Sequence, residues 1–279
     1  MIKIREITQI DKKRIAIMDT SSISFMHILH DRGISSEYIL KDYDLILIPH
    51  WVLTEINDSE GRTEYVQYLI DTDYPIYSIA EENYSSLTEY EDENLYQIVL
   101  ASVAMLGRVK AYLRRYVEQS DSLEMEPYRD WISRLYDEWP FEGTKLSNGR
   151  EKKKNAGEVS ITILSEVLSW YYPDTEELTV YTNDRDAFIF HEKADLILRE
   201  RFSCRTPVHV SYKSNDAILC QLYRDGIMDD NDIIAYRGNA RNVTYSKEMA
   251  DHSTALVTEL VNNEYFVELA QDISVHIVF

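Results

Sequence analysis

Arg14-Ile-Ala-Ile-Met-Asp19-Thr-Ser-Ser22 decides the architecture of this 279-residue chain. Its apolar body, unbroken from Ile15 to Met18, lacks the alternation of a half-wetted strand and reads as a central parallel strand buried on both faces. Asp19 closes the run, and Thr20-Ser-Ser22 offers hydroxyls that suit a helix N-cap. Ile23, Phe25, Met26 and Leu29 give that helix its buried face, and Gly33 ends it. The pattern then repeats. Residues 44–48 form a second apolar strand, Pro49 fits a first helical position, and Trp51, Val52 and Ile56 face inward from the helix that carries Glu55. Strand, helix, strand, helix is the opening of a parallel α/β fold.

From residue 57 to about 150 the chain reads as acidic and helical, too long for an ordinary connection. Its clearest part is residues 91–118, where Leu95, Ile98, Val99, Val103, Leu106, Val109, Leu113 and Val117 recur near 3.6-residue spacing. A second amphipathic stretch, from Met125, contributes Trp131, Leu135 and Trp139 and ends at Pro140-Phe-Glu-Gly143. Residues 145–154 read as a polar, basic loop turning at Asn148-Gly149. Gly157-Glu158 then opens a helix, residues 178–181 form a strand, and Thr182-Asn-Asp184 is its C-terminal loop. A helix through Ile197, a last core strand at Pro207-Val-His-Val210 and a helix over 217–223 complete the pattern. The expected division is a core first part (1–56), a helical insertion (57–150), a core second part (151–225) and a C-terminal extension (226–279) whose end, Val275-His-Ile-Val-Phe279, is a strand.

Asp and Glu total 49 against 29 Lys and Arg, a net charge of −20. Such a chain repels nucleic acid at long range, which excludes a general nucleic-acid coat. A local basic rim around a site, or a basic partner drawn to the acidic surface, would offset it. Cys204 and Cys220 make neither a ligand cluster nor a disulfide framework, so zinc chemistry is not expected. No apolar run approaches the roughly 18 residues of a membrane span, and Met1-Ile-Lys-Ile-Arg-Glu-Ile has no signal-peptide core. A soluble cytoplasmic protein is expected.

Asp19, Glu55, Glu158 and Asp184 each stand where an apolar segment ends or a helix begins. Carboxylates at the C-terminal ends of parallel strands face one crevice of an open sheet. Held close they repel, and a hard divalent cation is the usual means of keeping them ionised. A divalent site with open positions can cleave phosphodiesters. Each residue also has a plainer use. Asp19 can be a helix cap, Glu55 a solvated helix face, Glu158 a carboxylate at a helix start, and Asp184 with Asp186 a turn.

Ile-Met-Asp19-Thr-Ser-Ser, Ile-Pro49-x-x-Val-x-x-Glu55-Ile, Ala-Gly157-Glu158 and Thr182-Asn-Asp184-Arg-Asp186-Ala together resemble the PIN-domain nucleases. The resemblance covers about residues 14–56 and 155–223 and implies a three-layer, parallel-sheet domain carrying a large helical insertion. It implies a Mg²⁺ or Mn²⁺ site on Asp19, Glu55, Glu158 and Asp184, with Asp186 an additional acid, and a metal-dependent endonuclease acting on single-stranded RNA, a toxin or defence effector. Homo-oligomers are also a family implication. Thr20 or Ser21 would hold a ligand water and Asn183 would touch phosphate. The family's kinship with flap nucleases keeps a structure-specific DNA substrate open.

Lys152, Lys153 and Lys154, with Lys145 and Arg150, read either as a phosphate-steering loop before Glu158 or as a solvated loop. Arg185, between two acids, is expected to pair with them. Arg108, Lys110, Arg114 and Arg115 form a basic patch, and Tyr90, Tyr96, Tyr112, Tyr116, Tyr128 and Tyr136 serve packing or base stacking. His27, His30, His50 and His191 lack ligand spacing. A rival from another class is a non-catalytic PIN-like module that binds protein through its acidic surface or helical insertion. An aspartyl-nucleophile phosphatase is disfavoured, because the position two residues after Asp19 is Ser21.

Overall fold

The computed structural model of the chain describes residues 2–119, 126–139, 143–146, 149, 151–248 and 253–279. The side chains of Arg115, Tyr116 and Val117, and Met125, Pro140, Asn148 and Arg150 as a whole, lie outside the described residues. In chain order the strands are β1 (Arg14–Met18), β2 (Leu45–Pro49), β3 (Ile76–Ile79), β4 (Gly143–Lys145), β5 (Glu151–Lys153), β6 (Glu177–Tyr181), β7 (Val210–Lys213), β8 (Arg241–Glu248), β9 (Thr254–Val261) and β10 (Val275–Ile277).

Five of them make one parallel sheet in the order β3-β2-β1-β6-β7. β1 takes the centre, with Ile15 beside Leu45 on one flank and Leu178 on the other. Its Ile-Ala-Ile-Met body is fully buried, which is what an all-apolar strand requires. The edge strand β7 instead alternates, burying Val210 and Tyr212. From β1 the chain winds outward through β2 and β3; from β6 it winds the other way to β7. Right-handed crossovers then put the two sets of helices on opposite faces. Accordingly Thr20–Asp31 packs with Glu60–Asp71, while Ala156–Tyr171 packs with Arg185–Arg201 and Asp92–Ser102. The fold is α/β and compatible with three layers.

Several expectations change. Residues 57–150 are not wholly helical: Glu60–Asp71 is a crossover helix and β3 is a strand of the central sheet. Ile76-Tyr-Ser-Ile79 is short, and the helical stretch after it hides its period. The long helix over 91–118 is two helices, Asp92–Ser102 and Gly107–Gln119, broken where Leu106 N donates to Val103 O. Its period survives the break because Val103, Val109 and Leu113 are all buried. The basic loop is a hairpin, β4 against β5, with Gly149 at φ 81° in the connection. The last sheet strand is Val210–Lys213, three residues beyond the expected Pro207, a residue with no N–H for a ladder.

After β7, helix Asn215–Arg224 leads into helix Asp230–Arg237 and a three-stranded antiparallel sheet ordered β10-β8-β9. Buried Asp216 ties this extension to the core. Its carboxylate accepts from Arg237 Nε at 3.1 Å and from Arg241, and Arg237 also donates to Val261 O and lies over the Phe266 ring. No helix among the described residues is long and apolar enough to cross a membrane.

Candidate functional site

Asp19 leaves the end of β1 and caps the helix Thr20–Asp31, so the cap is the acid and not the hydroxyls after it. Its Oδ2 accepts from Ser21 Oγ at 2.6 Å and from Thr182 Oγ1 at 2.9 Å. Thr182 belongs to the loop after the neighbouring strand β6, and its Oγ1 also accepts from Asp184 N at 3.0 Å. Asn183 N donates to Ser21 Oγ at 2.8 Å. The ends of β1 and β6 are thus stitched together through hydroxyls. Asp184 caps the helix Arg185–Arg201, its Oδ1 accepting from Asp186 N at 2.9 Å.

Glu55 comes from the helix His50–Ile56 that follows β2 and is only 9% exposed. Lys152 Nζ, on β5, lies 2.8 Å from Glu55 Oε2. Burial pushes the Glu55 carboxyl up, and the pairing with Lys152 only partly offsets it. Burial pulls the Lys152 ammonium down, but the hydrogen bond and charge of Glu55 leave it above its ordinary value. Gly157 lies against the same carboxylate, where a Cβ would stand in ordinary contact, 3.4 Å from Glu55 Oε1. Glu158 follows in the first turn of Ala156–Tyr171, and its Oε2 is enclosed without a hydrogen-bond partner. Burial first, and the negative charges of Asp19 and Asp184 after it, push Glu158 up to about 8.

These four carboxylates line one hollow of about 320 Å³ at the C-terminal edge of the sheet, with Thr20, Ser21, Lys152 and Arg62. The set offers only hard oxygen donors, and an unpartnered carboxylate oxygen among like charges is what a divalent cation would satisfy. On chemistry the residues fit such an ion. Among the described residues, however, no three His, Cys, Asp or Glu are gathered as a ligand group. Lys152 holds one oxygen of Glu55, and hydroxyls hold Oδ2 of Asp19.

Other expected residues fall outside the hollow. Asp186 and Arg185 are exposed on the helix beyond it, and Arg185 makes no ion pair among the described residues. Asn183 is exposed and reaches the site through its backbone. Lys153 pairs with Glu151, and Lys154 is exposed. Tyr96 and Tyr128 are buried against Trp131, and Tyr136 packs on Trp51, so these tyrosines serve packing. His191 lies by Glu166, and His27 and His30 pack on Tyr65.

Sequence reasoning misses Arg62 and Thr182. Arg62 donates from Nη2 to Glu55 O at 2.9 Å and keeps Nε unpartnered, bringing a second cation to a hollow in an acidic chain. Its signal would have been its place near the start of a helix that crosses back to the sheet. Glu81 is also missed. It is fully buried and accepts from Trp51 N at 3.0 Å and Ser160 Oγ at 2.6 Å. It borders a larger hollow of about 440 Å³ on the far side of His50–Ile56, where its Oε1 is occupied by those bonds and Glu151 is held by Lys153 and Gly143 N. In comparisons with protein-family models, curated proteins and solved structures, nothing matches this chain.

Proposed function

We propose that the chain is a PIN-like, Mg²⁺- or Mn²⁺-dependent endonuclease that hydrolyses phosphodiester bonds of single-stranded RNA. One observation carries the proposal: Asp19, Glu55, Glu158 and Asp184, from four separate elements, line one hollow in which a buried Glu158 oxygen has no partner. Four unrelated surface acids would have no reason to converge. Asp19, Asp184 and Glu158 would hold the cation, with Glu55 joining once Lys152 releases it. The bound ion would acidify water and neutralise charge on the scissile phosphate.

The chain's own residues do the rest. Ser21 and Thr182 fix the rotamer of Asp19, leaving Oδ1 free of those bonds. Lys152 and Arg62 draw the phosphate backbone toward a hollow that the net charge would otherwise shield. RNA is preferred over DNA on the resemblance alone, as are a toxin or defence role and a cytoplasmic setting.

A second reading, a non-catalytic module that binds protein, is favoured by one observation. Lys152 already supplies Glu55 with the positive charge that a metal would bring.

The test is calorimetric Mn²⁺ titration of the wild type and an Asp19→Asn/Asp184→Asn variant, with the same samples incubated with labelled single-stranded RNA, single-stranded DNA and a flap duplex. Metal binding and RNA cleavage, both lost in the variant, are expected. No Mn²⁺ binding by the wild type would sink the nuclease and leave the module; cleavage of the flap alone would move the substrate to structured DNA.

A further inference from the structure

Strand β9, Thr254-Ala-Leu-Val-Thr-Glu-Leu-Val261, forms one edge of the C-terminal sheet and, among the described residues, is paired only on its β8 side. It carries none of the devices that keep an edge solitary: no proline, no lysine, and eight paired residues without a bulge. Its exposure alternates, and Leu256 and Leu260 are each 68% exposed with Thr258 between them.

The backbone polarity of this edge follows from its neighbour. Thr244 directs its N–H and C=O toward the β10 side, donating to Phe279 O and accepting from Val278 N at 2.8 Å. Its pairing with Thr258 across β8 and β9 is therefore the kind without backbone bonds, and the two hydroxyls meet instead at 2.9 Å. Because direction alternates along a strand, Leu256, Thr258 and Leu260 turn their N–H and C=O groups outward, away from β8. The exposed side chains and the free edge groups belong to the same three residues.

We propose that β9 pairs antiparallel with β9 of a second copy of this chain, on a two-fold axis through Thr258. The strand is self-complementary in that register. Thr258 meets Thr258, Leu256 meets Leu260, and each of these pairs exchanges two backbone hydrogen bonds. The four leucines then close over one another on one face of a continuous six-stranded sheet. Any shift by one residue would set outward groups against inward ones. Charge permits the contact. Glu259, the only ionisable residue of the strand, points to the other face, where it accepts from the Tyr245 and Tyr265 hydroxyls. Asn242 and Ser246, across β8 from the leucines, are neutral. On a chain of net charge −20 this uncharged strip is where two like-charged copies can approach.

Sedimentation velocity on the full chain tests the proposal, in about 0.15 M salt, where the Debye length is about 8 Å. Wild type should run at twice the chain mass. Leu256→Lys/Leu260→Lys and Thr258→Pro should run at the single-chain mass with unchanged far-UV circular dichroism, because the Thr258 N–H takes no part in the β8 ladder. Wild type at the single-chain mass at every concentration, or variants that keep the double mass, would overturn it. The register has its own test in a Cys204→Ser background. Thr258→Cys should cross-link under mild oxidant, since a hydrogen-bonded antiparallel pair sets its Cα atoms about 5.5 Å apart. Leu256→Cys alone, which faces residue 260 of the other copy, should not; the reverse pattern refutes the register.

Discussion

Lys152 Nζ stands 2.8 Å from Glu55 Oε2, joining residues 97 positions apart across the mouth of the carboxylate hollow. A hairpin thus delivers a cation where a divalent ion is proposed to bind, and the two compete for one oxygen. Lys152→Met should tighten Mn²⁺ binding by up to about fivefold, since a half-exposed ion pair is worth up to about 1 kcal/mol. It should also raise KM for nucleic acid by removing a phosphate-facing charge. Calorimetry and steady-state kinetics on one preparation check both; weaker Mn²⁺ binding would show that Lys152 supports the site and does not compete for it.

Glu158 is held against its own solvation. Its carboxyl is buried beside Asp19 and Asp184, with Oε2 unpartnered. Above about pH 8, where Glu158 ionises, Glu158→Gln removes a charge from this cluster, so at about pH 9 the chelated variant should melt a few degrees above wild type. Cleavage should fall at least about a hundredfold, the scale of losing one charge-stabilising group. A melting point at or below wild type in chelator would mean that the cluster is not strained.

Burial pushes Glu81 up to about 8 against an unfolded value near 4.5. Between those values the folded chain holds a proton that the unfolded chain has lost, so stability falls as pH rises through the window and levels off above it. At 1.36 kcal/mol per unit the loss is of order a few kcal/mol. Glu81→Gln should flatten that part of the curve, measured by urea midpoints from pH 5 to about 9. An equally steep decline in the variant would assign the slope to other groups.

Asp216 and Arg237 form a buried pair between the core and the C-terminal extension. Asp216→Ala takes the counter-charge from the buried Arg237 guanidinium and from the partly exposed Arg241, and should cost about 3 kcal/mol. The lost stability should appear as earlier denaturant unfolding, with Mn²⁺ affinity unchanged in the fraction that remains folded.

Asp19 is legible in the sequence because it ends an unmixed apolar run and Asp184 because it closes the short loop after a strand, and strand ends of a parallel sheet share one edge. Glu55 and Glu158 are legible only by their helix positions, and the hollow does contain them. Asp186 follows the same local pattern but lands one helical step outside, a rotation that spacing cannot convey. β3 is hidden because four residues carry too little period against helical flanks. The role of Lys152 depends on how a hairpin folds back across 97 residues, and Arg62 on the direction of a crossover helix. Such distances are tertiary facts with no local signature.

The order β3-β2-β1-β6-β7 puts strands from opposite ends of the core side by side, and Asp19 takes its bond from Thr182, 163 positions later. During synthesis, therefore, no growing chain has a finished pocket until the loop after β6 has left the ribosome and docked. The first two carboxylates are made well over a hundred residues before that loop and until then belong to no finished pocket. A pocket assembled in this order can bind or act only once the finished core has formed, by connectivity alone.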